Sequence, residues 1–119
     1  MNDFKKLTVW QRSMDLSVKI YTYTKGFPKG ELFGLTSQMR RSAVSIPSNI
    51  IVEGAGRNSN KEFSQFIGIA KGSLFELETQ IILSSRIGYL QNEQLSDLEN
   101  DSKAIHKMLY GLQKSLNKD

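Results

Sequence analysis

The chain has 119 residues, 39% of them hydrophobic and 24% charged, with no cysteine and a formal net charge of +4. That length suits one domain, residues 1–119, able to bury a single core, and the missing thiols exclude disulfide frameworks and cysteine-ligated zinc. The N-terminus has no apolar run of signal-peptide length, and no window approaches the ~18 uninterrupted apolar residues of a spanning helix, so a cytoplasmic protein with no membrane partner is expected.

The first helix is expected over residues 8–25, stopped by Gly26 and the Phe27-Pro28 pair, because proline disfavours the helical region for its predecessor. It carries two stripes, Trp10/Met14/Ser17/Tyr21 and Val9/Leu16/Ile20/Tyr23. A helix apolar over more than one face has a surface to spare, which points to a partner subunit touching Trp10 and Tyr21.

The second helix is expected over 31–53. Leu35, Met39, Ala43, Ile46 and Ile50 make its apolar stripe, and Arg41, Ser45, Asn49 and Glu53 follow at i+4 as a polar ridge that drifts ~40° per step. Pro47 removes one backbone bond and crowds the carbonyl of Ala43, so a kink is expected there rather than a break. Gly54 and Gly56 end the helix.

The third helix has the clearest start, Ser59-Asn60-Lys61-Glu62, a capping box. Phe63, Phe66, Ala70, Leu74, Leu77 and Ile81 carry its stripe over 59–87, and Gly88 stops it. Gly68 and Gly72 each cost ~1 kcal/mol relative to alanine, so a close approach to their backbone is expected. The fourth helix spans 94–116, with Leu98, Ser102, Ile105, Leu109, Leu112 and Leu116 spaced by four and three. No segment alternates with period two. An all-α, antiparallel up-down-up-down four-helix bundle is the economical architecture.

Catalytic and metal-binding patterns are missing, so no enzyme, metal site or cofactor is expected. His106 is the only histidine, without HExxH or Glu-x-x-His spacing, and Glu76 and Glu78 fall on different helix faces. The Gly54-to-Gly56 GxG follows a helix and lacks GK[ST], so it reads as a turn ahead of a nucleotide motif. Charge is more informative. Residues 25–71 carry seven basic and three acidic groups, whereas 72–119 carry five and seven. Arg40, Arg41, Arg57 and Lys61 are the candidate phosphate contacts, the last two helped by the free amides that open the third helix. Pairing of either neighbouring arginine with Glu53 or Glu76, as a helix or subunit contact, stands as the structural alternative. Tyr21, Tyr23 and Tyr89 suit base stacking or packing alike.

The stretches LTVWQRSMDLSVKIY, FPKGELFGLTSQMRRSAVSIPSNIIVEGAGR and EFSQFIGIAKGSLFELETQI closely resemble the intervening-sequence proteins encoded by insertions within bacterial 23S rRNA genes. The likeness spans about residues 4–90; the last helix follows in pattern more than in wording. It implies a four-helix protomer, a homopentameric ring and a nucleic-acid-binding role. The chain is also similar to the accessory variability proteins of diversity-generating retroelements, whose basic pentamers work with a reverse transcriptase and its RNA. The expected function is therefore a non-enzymatic homo-oligomer binding RNA or DNA through backbone phosphates, with a reverse transcriptase or another protein as a further partner. The alternative is a protein-interaction scaffold that binds no nucleic acid.

Overall fold

The computed structural model describes residues 7–51 and 59–117, and these form four α-helices with no strand among them. Helix α1 is Thr8–Thr24, α2 is Leu35–Ile50, α3 is Asn60–Arg86 and α4 is Asn92–Leu116. Each packs against two others, in the ring order α1, α2, α3, α4 and back to α1, within an envelope of 47 × 23 × 20 Å. None of the helices is long and apolar enough to cross a membrane.

The core is the set of stripes visible in the sequence. Leu16, Ile20, Met39, Ala43, Ile46, Ile50, Leu74, Leu77, Leu98, Ile105 and Leu109 lose all contact with water. Two details differ from the pattern. Ile67 is buried where Phe66 was expected, and Leu112 and Leu116 lie at the margin of the core. The second of α1's stripes turns inward, while Trp10, Met14 and Tyr21 of the first remain partly exposed.

Helix α2 starts later than its periodicity suggests. Lys29–Glu31 form one 3-10 turn, and the α-helix begins only at Leu35, after Gly34. Glu31 makes this possible. One carboxylate oxygen accepts the Leu35 amide at 3.3 Å and the other accepts the Tyr89 hydroxyl at 2.8 Å, so a side chain four residues upstream satisfies an amide the helix start leaves open. Phe27 packs on Tyr89 with ring centroids 5.2 Å apart. At the other end of α3, the Ser59 hydroxyl accepts the Glu62 amide at 3.1 Å, and Gly88, with φ of 88°, takes the left-handed turn that closes the helix.

Gly68 and Gly72 do not receive the expected close backbone. A side chain at Gly68 would meet only the end of Gln113 at 3.4 Å, and Gly72 faces open space among the described residues.

Helix α2 continues through Pro47, which sits in its last turn, with the Ile51 amide bonded to the proline's own carbonyl. Proline has no N–H, so the Ala43 carbonyl loses its usual partner. The Ser17 hydroxyl of α1 points at that carbonyl from 3.2 Å while also reaching the Ser13 carbonyl at 3.0 Å. A neighbouring helix thus supplies the donor that the sequence removed.

On the opposite side, Lys19 joins α1 to α4 through Asp97 at 2.8 Å and Asp101 at 2.7 Å, with Tyr23 donating to Asp97 at 2.6 Å and Arg12 lying 3.9 Å from Asp101. As residue numbers rise along α1, those of the partners on α4 fall.

Two outcomes follow from these joints. Ser17→Ala should cost about 1–2 kcal/mol in urea unfolding, and most of that should vanish in a Pro47→Ala background, where residue 47 again offers an amide to Ala43; strictly additive losses would refute the joint. The Lys19 cluster has a pH signature. Hydrogen bonds from Lys19 and then Tyr23 hold the Asp97 carboxyl below its ordinary 3.8, so its contribution exists above that value and disappears as pH falls through the lower folded-state one. Bonds first to Asp101 and then to Asp97 push Lys19 above its ordinary 10.5, so its contribution is complete below 10.5 and fades as pH rises through the folded-state value. Lys19→Met should therefore cost about 1 kcal/mol, a figure discounted for partial exposure, unchanged from pH 5 to 9 and shrinking in acid.

Candidate nucleic-acid interface

Adjacent residues on a helix point ~100° apart, and α2 sends its two arginines to different neighbours. Arg40 leans toward α1. Its Nε donates to the Thr24 hydroxyl at 3.0 Å and its guanidinium lies 4.6 Å from the centre of the Tyr21 ring. Thr24 passes its own proton to the Ile20 carbonyl at 2.6 Å, so the contact is fully bonded and half-buried. Arg40 acts here as packing between α1 and α2, and its partners among the described residues are a hydroxyl and an aromatic face, not Glu76.

Arg41 faces the other way, into a polar channel between α2 and α3. Below it the ridge expected from sequence packs against a matching set on α3. Ser42 donates to Glu76 at 2.7 Å, the hydroxyls of Ser45 and Ser73 are 2.8 Å apart, and the Asn49 amide donates to the Ser45 carbonyl at 2.6 Å. Gln38, Arg41 and Gln80 complete a cavity of about 510 Å³, and the buried Oε1 of Gln80 has no hydrogen-bond partner among the described residues. Arg41 itself is exposed and forms no ion pair with any described carboxylate. An unpaired guanidinium beside hydroxyls and amides can grip a phosphate oxygen pair. Glu76 lies at the same level, with one oxygen committed to Ser42.

Lys61 is exposed in the first turn of α3. It precedes Glu76 by about 15 residues, hence lies ~22 Å away along the helix. One chain therefore does not gather Arg41 and Lys61 at a single point. Arg57 and Glu53 fall outside the described residues. Lys71, which the sequence reading passed over, is already engaged, donating to Gln113 at 3.1 Å and lying 5.5 Å from the Tyr110 ring centre. Tyr23 and Tyr89 spend their hydroxyls on Asp97 and Glu31, at 2.6 and 2.8 Å, each of which raises the phenol above its ordinary value. Among the described residues no group of acidic and histidine side chains is arranged to hold a metal ion.

The residues that sequence reasoning missed in the channel are Gln38, Ser73 and Gln80. Their signal was present, since Ser73, Glu76 and Gln80 recur at three and four on α3 as Gln38, Arg41 and Ser45 do on α2.

Trp10 and Tyr21 border a second groove, between α1 and α2. Met14, Val18, Val44, Pro47 and Ile51 line it with them, and Val18 is 63% exposed. Its volume is about 510 Å³ and its walls are mostly apolar.

The unlike roles of the two arginines can be checked by stability alone. Arg40→Ala should cost about 1 kcal/mol in chemical unfolding through loss of the Thr24 bond and the Tyr21 contact, whereas Arg41→Ala should stay within ~0.5 kcal/mol of the parent.

Most of the chain has recognisable relatives. A crystal structure of a protein of unknown function from the S23 ribosomal protein family of Bacteroides thetaiotaomicron superposes with a TM-score of 0.80 at 29% identity, covering 89% of this chain and 95% of that one. No curated protein matches. The family model described as 23S rRNA-intervening sequence protein matches residues 5–111, from just before α1 nearly to the end of α4. The chain belongs to the 23S rRNA-intervening sequence protein family.

Proposed function

We propose that this protein is a non-enzymatic, homo-oligomeric, RNA-associated bundle of the cytoplasm that binds nucleic acid through backbone phosphates. The observation that carries the reading is the exposed Arg41 guanidinium, which borders the polar α2–α3 channel without an ion-pair partner among the described residues. On the α1–α4 side Arg12 and Lys19 are held by Asp97 and Asp101, while Arg41 and Lys61 on α2 and α3 stand exposed without a described carboxylate partner. Exposed cations without an ion-pair partner are what a backbone binder needs. The name of the family makes RNA the first polymer to try.

Oligomerisation supplies what one chain lacks. The protomer is an up-down-up-down bundle, each helix antiparallel to its ring neighbours and α2 bent at Pro47. Copies associate through the apolar groove of Trp10, Val18, Tyr21 and Val44. Five copies of a chain carrying +4 would present about +20, turning contacts ~22 Å apart within one chain into a repeating belt where weak contacts add by avidity. A reverse transcriptase is a candidate protein partner for such a belt. The second reading, a protein-interaction scaffold, draws on Arg40, whose guanidinium is spent on packing.

The test couples light-scattering mass to binding of a labelled ribosomal RNA fragment and a random single strand across a salt series. The parent should run as a multimer and bind both RNAs with affinity falling steeply with salt. Arg41→Ala should flatten that slope without changing mass, and Val18→Asp should reduce both mass and binding. A multimer indifferent to RNA at about 50 mM salt, where phosphate contacts are strongest, would overturn nucleic-acid binding in favour of the scaffold.

A further inference from the structure

A third cavity, of about 450 Å³, opens between α3 and α4, along a different face of α3 from the Arg41 channel. Its floor is apolar, formed by Ile81 and Ile82, and its polar groups include Glu78, Glu99, Ser102 and His106.

Ser102 is the feature that ordinary packing leaves unexplained. Other buried hydroxyls on these helices turn back to the carbonyl one turn earlier: Ser13 to Val9 at 2.7 Å, Thr24 to Ile20 at 2.6 Å and Ser84 to Gln80 at 2.7 Å. Ser102 is 2% exposed, and its Oγ has no partner among the described residues. A hydroxyl shut away unpaired costs about 1–3 kcal/mol, so a ligand atom in the cavity would recover that energy. His106 lies one turn further along the same face of α4, its ring 4.3 Å from that of Phe75. The His106 Nε2 is 2.5 Å from Glu78 Oε1, yet it too is buried without hydrogen-bonding geometry. Glu99, exposed on the opposite wall, forms no ion pair with a described cation. Lys103 is the remaining charged group on the wall, so the carboxylates outnumber the ammonium.

Two carboxylates, an unpaired hydroxyl and an apolar floor call for a ligand with several N–H donors on a hydrocarbon stem. A bare divalent ion does not suit, because the carboxylates and His106 are not disposed as a metal-binding group. We propose that this cleft binds an alkyl guanidinium or alkyl ammonium, its stem along Ile81 and Ile82 and its cationic head between Glu78 and Glu99, with an N–H donated to the Ser102 hydroxyl. Two sources carry that chemistry: a free aliphatic polyamine, or an arginine or lysine side chain from a second copy of this chain. The second source rests on the oligomer proposed above; the first does not.

The probe is agmatine, titrated calorimetrically into the full-length protein at low salt, with n-butanol as the uncharged control. Saturable binding of agmatine alone, weakened on the order of tenfold or more in Glu78→Gln and in Glu99→Gln, would establish the cleft and a free ligand. When a neighbouring copy already fills the site, agmatine should instead lower the light-scattering mass of the parent, and Glu99→Gln should lower it without any ligand. Equal agmatine affinity in the parent and both variants would overturn the proposal. So would absence of binding together with a mass unchanged by agmatine or by Glu99→Gln. RNA binding enters none of these readouts, so the phosphate-contact reading stands or falls separately.

Discussion

The backbone carbonyl of Ala43 is the constraint around which the α1–α2 half of the molecule is arranged. Pro47 strips it of its helical partner, and a buried carbonyl without a donor would destabilise the core. Ser17 of α1 offers a shared donor, its one proton lying between that carbonyl at 3.2 Å and the Ser13 carbonyl at 3.0 Å. The contact requires α1 to approach α2 with small side chains, and Ser13 and Ser17 are the residues it presents there, both buried. Bulkier members of α1, Trp10, Met14 and Tyr21, then border the groove in place of entering the core. The apolar surplus of α1 and the proline of α2 thus belong to one arrangement.

Polar chemistry divides the remaining seams. Between α1 and α4 the join is ionic, with Lys19 shared by two aspartates and Tyr23 bonded to one of them. Between α2 and α3 it is made by hydroxyls, Ser42 donating to the Glu76 carboxylate and Ser45 meeting Ser73, which hold the helices together without pairing a cation. Arg41 borders the second kind of seam, and its guanidinium remains available to a ligand for that reason. Arg40, one residue earlier, borders the α1 seam and is consumed by Thr24 and Tyr21. Two neighbouring arginines of the same chemistry differ in their surroundings because the helix turns ~100° between them.

Much of this was legible beforehand. The four helices, their stripes, the Ser59 start and the Gly88 stop follow from periodicity and local capping, which depend on residues within a few positions of one another. The ridge of Arg41, Ser45 and Asn49 was visible as well. Less legible was the late start of α2, where a periodic pattern from residue 31 yields to a 3-10 turn because Glu31 is drawn to Tyr89, far along the chain. The glycines of α3 misled in the other direction: Gly72 suggested a close neighbour and faces open space.

What the sequence determined by itself, then, was the helical content, the identity of the core stripes and the basic middle of the chain, all consequences of local spacing and composition, together with the family, which its wording over particular stretches resembles. Which polar side chain would be spent and which left free was decided only by tertiary structure. Tyr89 was bound to Glu31, Arg40 to Thr24 and Lys19 to Asp97 and Asp101, while Arg41 and the Ser102 hydroxyl were left unpaired. The physical reason is that a hydrogen bond or ion pair across two helices depends on their rotation and axial offset. Those are set by how whole apolar faces pack, and no single stretch of sequence contains them.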